Sequence, residues 1–520
     1  MRMGLLALAL MAAMPAVAQN VVETSIEELQ AKMALGTTSE AITKEYLERI
    51  AAMDRKGPTL RSVIAVTSGA LDQARASDAR RRAGKLLGPL DGIPVLIKDN
   101  IETWELPTTA GSLALRSNWT KRDAPVVALL RAQGAVILGK TNLSEWANIR
   151  STASMSGWSA TGGLVRNPYA LDRTACGSSS GSGAAIAASF AAVAVGTETD
   201  GSVVCPASMN GLVGLKPTLG LVSRTHVVPI SHSQDTPGPM GRSVKDVALL
   251  FSAMIGDDPA DPATKGAARH ARDFAAALSP DALKGVRIGY WKPQMPGELG
   301  KRFDQALEEL RAAGAVLTEV KMPKLEGMSE AEFLVLKAEL KADLAAYLAT
   351  TPEKTVKVRT LADVIAFNQA NAGAEMPFFA QEIFEEAEKT KGLDDPEYKA
   401  AREKSLRLAK AALDGMMKEA NAQLLVSPTY GIPWLSDPVA GDQFSGPSAS
   451  ALPAISGYPH LTVPMGLVKG LPAGLSFIGP AFSDGDLLRA GYAYEQATQA
   501  RVKPGYAPTV PADLGARTLN

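Results

Sequence analysis

Serine is the residue type in this sequence best suited to act as a nucleophile, and two short segments present it. The first is Gly177-Ser178-Ser179-Ser180-Gly181. It fits the G-x-S-x-G turn of the α/β-hydrolases with Ser179 at its centre, and His460 downstream could then serve as base. Such a turn needs a buried strand directly before it, whereas Asn167 to Arg173 reads as a loop. The second segment is Gly196-Thr197-Glu198-Thr199-Asp200-Gly201-Ser202, which directly follows the apolar run Ala191 to Val195. A turn of small residues after a strand can aim successive N–H groups at one point, which suits an oxyanion beside an attacking serine. Taken alone, the segment reads more simply as an ordinary strand-to-turn junction without chemistry. A serine nucleophile also needs a base. Lys98 closes the apolar run Ile93 to Ile97, a place where charge is costly. The common role of such a lysine is to snorkel outward from a strand end. To act as a base its pKa must fall from about 10.4, and burial supplies such a fall.

Other chemistries find no foothold. The four histidines, His226, His232, His270 and His460, form no H-E-x-x-H arrangement, and no C-x-x-C occurs. Neither a G-x-G-x-x-G after a strand nor a Walker A motif is present. No metal and no cofactor are expected. The 54 basic and 54 acidic residues cancel, so the chain carries no electrostatic footprint for nucleic acid or an anionic membrane.

The elements that would hold these residues alternate between strand and helix. Ser25 to Asp54 reads as two amphipathic helices, with a capping box at Ser25 and Glu28, a stop at Gly36 and Ser39 capping the second. Arg61 to Val66 reads as a strand, Ala70 to Ala83 as a helix, and Ile93 to Ile97 as a buried strand. Ala124 to Gln133 is expected to be helical and Ala135 to Leu138 extended. After the serine loop come a helix over about Gly183 to Phe190 and a strand over Ala191 to Val195. Residues 260–425 are more charged and read as an outer helical layer. Leu461 to Pro464 and Gly474 to Gly479 look like strands that rejoin the sheet. This pattern predicts one large α/β domain.

The N-terminus reads as a targeting segment. Arg2, an apolar run from Leu5 to Met14 and Ala16-Val17-Ala18 together suggest a signal peptide cleaved after Ala18. The run is too short to span a bilayer comfortably, so the mature chain, 19–520, is expected to be exported, to the periplasm or the medium, and free of the membrane. Cys176 and Cys205 are the only cysteines. An oxidising compartment would permit one bridge, but the preferred expectation is two buried small hydrophobes.

Taken together, the segments resemble the amidase-signature family. Gly92-Ile93-Pro94-Val95-Leu96-Ile97-Lys98-Asp99-Asn100 looks like that family's lysine segment, Cys176 to Gly181 like its Gly/Ser-rich signature, and Thr199-Asp200-Gly201-Ser202 occupies its nucleophile position. Gly139-Lys140-Thr141-Asn142, Gly214-Leu215-Lys216-Pro217-Thr218 and Asp235-Thr236-Pro237-Gly238-Pro239-Met240 also agree, and the resemblance covers nearly the whole mature chain. It implies a mixed, mostly parallel sheet covered by helices on both faces, and a serine amidase that needs no cofactor. Ser202 would be the nucleophile, Ser178 a proton relay on a cis peptide bond, and Lys98 the base. The N–H groups around Thr199, Asp200, Gly201 and Ser202 would form the oxyanion hole, with Ser179 supporting the network. Many members have Gly where this chain has Asp200, and Arg where it has Val204. With the leader, these departures resemble the bacterial peptide amidases, whose substrates are C-terminally amidated peptides; small aliphatic or aryl amides are the alternative. The family also contains transfer-RNA amidotransferase subunits, which export and neutral charge disfavour. Trp146 and Trp158 are candidates for the substrate channel, with core packing an equal alternative.

Overall fold

A computed structural model describes residues 21–511. The expected leader, residues 1–18, lies outside the described residues. In chain order the strands are β1 (Val63–Val66), β2 (Pro94–Lys98), β3 (Val136–Thr141), β4 (Trp158–Ser159), β5 (Gly163–Leu164), β6 (Val193–Glu198), β7 (Val213–Lys216), β8 (Thr236–Gly241), β9 (Arg287–Tyr290), β10 (Val316–Glu319), β11 (Leu424–Pro428), β12 (His460–Val468) and β13 (Leu471–Ile478). Strands β4 and β5 form a small hairpin, and the rest join one sheet in the order β1-β3-β2-β6-β8-β7-β12-β13-β11-β9-β10. Strands β3, β2 and β6 run parallel to one another, as do β11, β9 and β10; the other neighbours are antiparallel. The sheet is therefore mixed, and it is flanked by helices in a single α/β domain.

The central strands are apolar because neither face meets water. Val95, Ile97, Val193, Val195 and Leu215 are wholly buried, and all belong to the main core. Burial at this scale contributes on the order of 25 cal/mol per Å² of apolar surface, which is what tolerates charged groups at the strand ends.

Local differences from the expected elements have local causes. Thr38, not Ser39, caps the second helix: its side chain accepts from the Ala41 N–H at 3.1 Å, while Ser39 Oγ donates to the Gly92 carbonyl at 2.8 Å. The helix expected over Gly183 to Phe190 runs Ser180–Ala187 instead. Its early glycine disfavours a helix by propensity. Packing demands it, since a Cβ on Gly181 would run into the carbonyls of Ser62 and Asn142. Residues 260–425 do hold a helical layer, with long helices Met328–Leu348 and Pro396–Glu419. They also hold β9 and β10, which lie at the sheet edge. Strand β10 is mostly exposed and carries little apolar pattern to announce it.

Candidate active site

The site forms where β2 and β6 lie side by side, with Ile97 level with Val195. Lys98 is the last residue of β2 and is completely buried. Its Nζ lies 2.7 Å from Ser178 Oγ, 2.8 Å from Thr197 Oγ1 and 3.2 Å from the Thr197 carbonyl. Burial lowers its pKa from 10.5 to about 7, against the opposing pull of the Asp235 and Glu198 carboxyls. The next residue, Asp99, is held by a buried ion pair with Lys140 Nζ at 2.9 Å. Lys140 also donates to Thr108 Oγ1 at 2.9 Å, so the lysine motif and the Gly139-Lys140-Thr141-Asn142 segment are one packed unit.

Ser178 sits in the loop that opens the Ser180–Ala187 helix, and the Gly177–Ser178 peptide bond is cis. Ser179 is also wholly buried. Its hydroxyl donates to the Thr197 carbonyl at 3.0 Å and accepts from the Thr197 N–H at 3.2 Å. With both capacities taken by backbone, Ser179 ties the serine loop to β6 and is not free to attack. His460 lies elsewhere, on β12, bonded through Nε2 to Ser476 Oγ at 2.6 Å, and burial pushes its pKa down to about 3. The histidine-dependent arrangement around Ser179 is therefore not formed.

Ser202 lies in the turn between β6 and the Val204–Met209 helix. Glu198 shapes that turn, its carboxylate accepting from the N–H groups of Val203 and Val204 at 2.8 and 3.0 Å. Asp235 holds Thr199, accepting from its hydroxyl at 2.5 Å. The Ser202 carbonyl accepts from the Ser179 N–H at 3.1 Å. No hydrogen bond joins the hydroxyls of Ser178 and Ser202. The N–H groups of Thr199, Asp200, Gly201 and Ser202 have no acceptor among the described residues. Gly201 has a φ of +78°, and a Cβ there would strike the Tyr430 hydroxyl.

A cavity of about 250 Å³ opens on Ser202. Ile149, Ile230, Leu336, Tyr430, Trp434 and Phe444 supply its apolar walls. Trp146 and Trp158 do not line it. Trp146 packs edge-on against Phe384 in a buried cluster, and Trp158 packs against Phe378 and Phe379. The chain after Trp146 reaches the cavity instead, through Ala147, Asn148 and Ile149.

Cys176 and Cys205 form a disulfide, with Cα atoms 6.0 Å apart, which overturns the expectation of two free thiols. The bond joins the residue before Gly177-Ser178 to the helix just after Ser202, and Cys176 lines the cavity. The helices Ser180–Ala187 and Val204–Met209 pack together and bring the two cysteines within bonding range, a proximity no spacing in the sequence discloses. Thr197, Asp235, Tyr430, Trp434, Asp442 and Phe444 were also not anticipated as site residues. Of these, Thr197 carried a signal through the strand-to-turn segment that leads to Ser202, and Asp235 through its place in a matched segment.

Residues 41–488 match the family described as Amidase. An Arabidopsis thaliana protein named "Probable amidase At4g34880" is 38% identical over 500 residues, spanning 94% of this chain and 92% of that one. A glutamyl-tRNA(Gln) amidotransferase subunit from Thermobifida fusca is 36% identical, over 92% of this chain and 96% of its own length. Among solved structures, native peptide amidase from Stenotrophomonas maltophilia superposes with a TM-score of 0.88 at 49% identity, over 93% of this chain and 99% of that one. Peptide amidase in complex with the competitive inhibitor chymostatin gives a TM-score of 0.90 at 48% identity over the same shares. A buried lysine against a serine, a second serine in a turn of unpaired N–H groups, and these likenesses over almost the whole length agree: the chain belongs to the amidase-signature family and is an amide-hydrolysing enzyme.

Proposed function

We propose that this enzyme removes the terminal amide of C-terminally amidated peptides, releasing ammonia, through a Ser202, Ser178, Lys98 triad. The observation that carries the triad is the contact of a fully buried lysine with Ser178 at 2.7 Å, beside a cavity that opens on Ser202. Neutral Lys98 draws the proton from Ser178, which in turn takes the Ser202 proton as that oxygen attacks the amide carbon. The carbonyl oxygen becomes an oxyanion held by the unpaired N–H groups of residues 199–202. Ser178 and Lys98 return the proton to the leaving nitrogen, ammonia departs, and water hydrolyses the acyl-enzyme by the reverse path. The peptide preference rests on the 48–49% identity to peptide amidase structures and on an apolar cavity able to hold a terminal residue. Export, read from the first 18 residues, would bring the enzyme to peptides outside the cytoplasm.

The test is ammonia release from an amidated peptide, with its free acid as control, by the wild type and by Ser202→Ala. Release by the wild type alone supports both the triad and the substrate class. Release by neither removes the peptide substrate, leaving small aliphatic and aryl amides to be assayed. Equal release by both removes Ser202 from the mechanism.

A further inference from the structure

We propose that the Asp200 side chain is a specificity-determining group that repels a carboxylate at the site, so that the enzyme binds its amide substrate and expels its acid product. This rests on the amide reading given above. Asp200 lies two residues before Ser202 and lines the same cavity. Its Oδ1 is buried and has no hydrogen-bond partner. Asp442 is the other acid on the wall, and its charge is already engaged: it accepts from the Ser156 N–H and hydroxyl and from Trp434 Nε1 at 3.0 Å. No Lys, Arg or His is among the described residues that line the cavity. Val204, in the helix that follows the nucleophile, brings no cation either. Burial raises the Asp200 pKa, while the Ser450 hydroxyl and the Lys216 ammonium pull it back down. Its near neighbour Glu332 is pushed up to about 8, by burial and then by the charge of Asp200.

Hydrolysis converts a neutral carboxamide and water into a carboxylate and ammonium. The substrate end therefore arrives uncharged and leaves as an anion in the same place. An unpaired buried carboxylate tolerates the first and opposes the second, because a like charge in a low-dielectric wall is poorly screened. The same group thus admits the neutral amide and opposes retention of the acid.

The experiment compares two inhibitors built on one peptide, its free acid and its C-terminal alcohol, which is neutral and of similar size. In the wild type the acid should bind about tenfold more weakly than the alcohol, and in Asp200→Asn the gap should close to within about threefold. Asp200→Glu, which keeps the charge, should keep the gap. Equal binding of acid and alcohol by the wild type overturns the proposal even if no variant folds, and so does a gap that persists in Asp200→Asn. Ammonia release by the same wild-type preparation separates the two ideas. Release without a gap sinks only the charge role, while no release sinks the peptide-amide reading on which it stands.

Discussion

At the scale of single residues, Lys98 is the group whose chemistry and whose cost to the fold oppose one another. A fall from 10.5 to about 7 corresponds to roughly 5 kcal/mol of penalty on the buried cation. Because the folded pKa lies below the unfolded one, the unfolded chain holds the extra proton between about 7 and 10.5, and stability rises with pH across that window. Activity should rise likewise, with kcat/KM climbing as pH passes through about 7, and a flat profile from about pH 5 to 9 would contradict a lysine base. Lys98→Met should abolish turnover yet unfold in urea at about pH 6 no earlier than the wild type. Ser179 and Ser202 divide in the opposite sense. Ser179→Ala loses two bonds to Thr197 and should cost about 1–3 kcal/mol of stability, with activity kept within about tenfold. Ser202→Ala should cost about six orders of magnitude in kcat with little change in the melting temperature. The three residues of the proposed triad stood out in the sequence through the resemblance of their segments, taken together, to the family, since each segment alone reads as an ordinary strand end or turn. What one residue touches was not legible: Thr197 satisfies both Lys98 and Ser179, and only the pairing of β2 with β6 reveals it.

At the scale of elements, the serine loop and the Ser202 turn are irregular pieces held by neighbours rather than by their own regularity. The Cys176–Cys205 bond closes a loop with a sequence separation of 29. The chain-entropy account gives such a closure roughly 3–4 kcal/mol. Reduction, or the double change Cys176→Ser with Cys205→Ser, should lower the melting temperature by several degrees, read by calorimetry with and without reductant. Activity should fall with it, because Cys176 lines the cavity and directly precedes the Gly177-Ser178 step. Strands β2, β6, β12 and β13 were legible as apolar runs. The edge strand β10 was not, since its residues face water and alternate weakly. The Ser180–Ala187 helix was misplaced by three residues because Gly181 obeys a close approach that propensity cannot express.

At the scale of the whole molecule, the helical layer over the sheet meets the site through the loop that follows Ile230 and through its own Leu336. His232 Nδ1 pairs with Asp343 on the Met328–Leu348 helix at 2.9 Å, and Glu339 of the same helix accepts from the Ser233 hydroxyl at 2.9 Å. That helix also presents Leu336 to the cavity, and the loop presents Ile230. The Asp343 bond raises the His232 pKa above 6.5, so the contact is complete below pH 6.5 and weakens as pH rises through the raised value. The protection of amides in residues 328–348, corrected for their intrinsic exchange rates, should accordingly fall as pH rises through the raised His232 value in the wild type, and His232→Ala should remove that fall. Little of this docking was legible beforehand, since the partners lie more than a hundred residues apart in the chain. The layer itself was, from its charged faces. The distribution of the site along the chain has a further consequence. Lys98, Ser178 and Ser202 fall within one stretch of just over a hundred residues, whereas Tyr430, Trp434 and Phe444 come from a separate segment near the other end. Trp434 and Phe444 can therefore vary while the segment that holds the proposed triad is kept, whereas Tyr430 is tied to that segment by its close approach to Gly201. Exchange of residues 430–446 between relatives offers a route by which one hydrolytic engine acquires new appetites without being rebuilt.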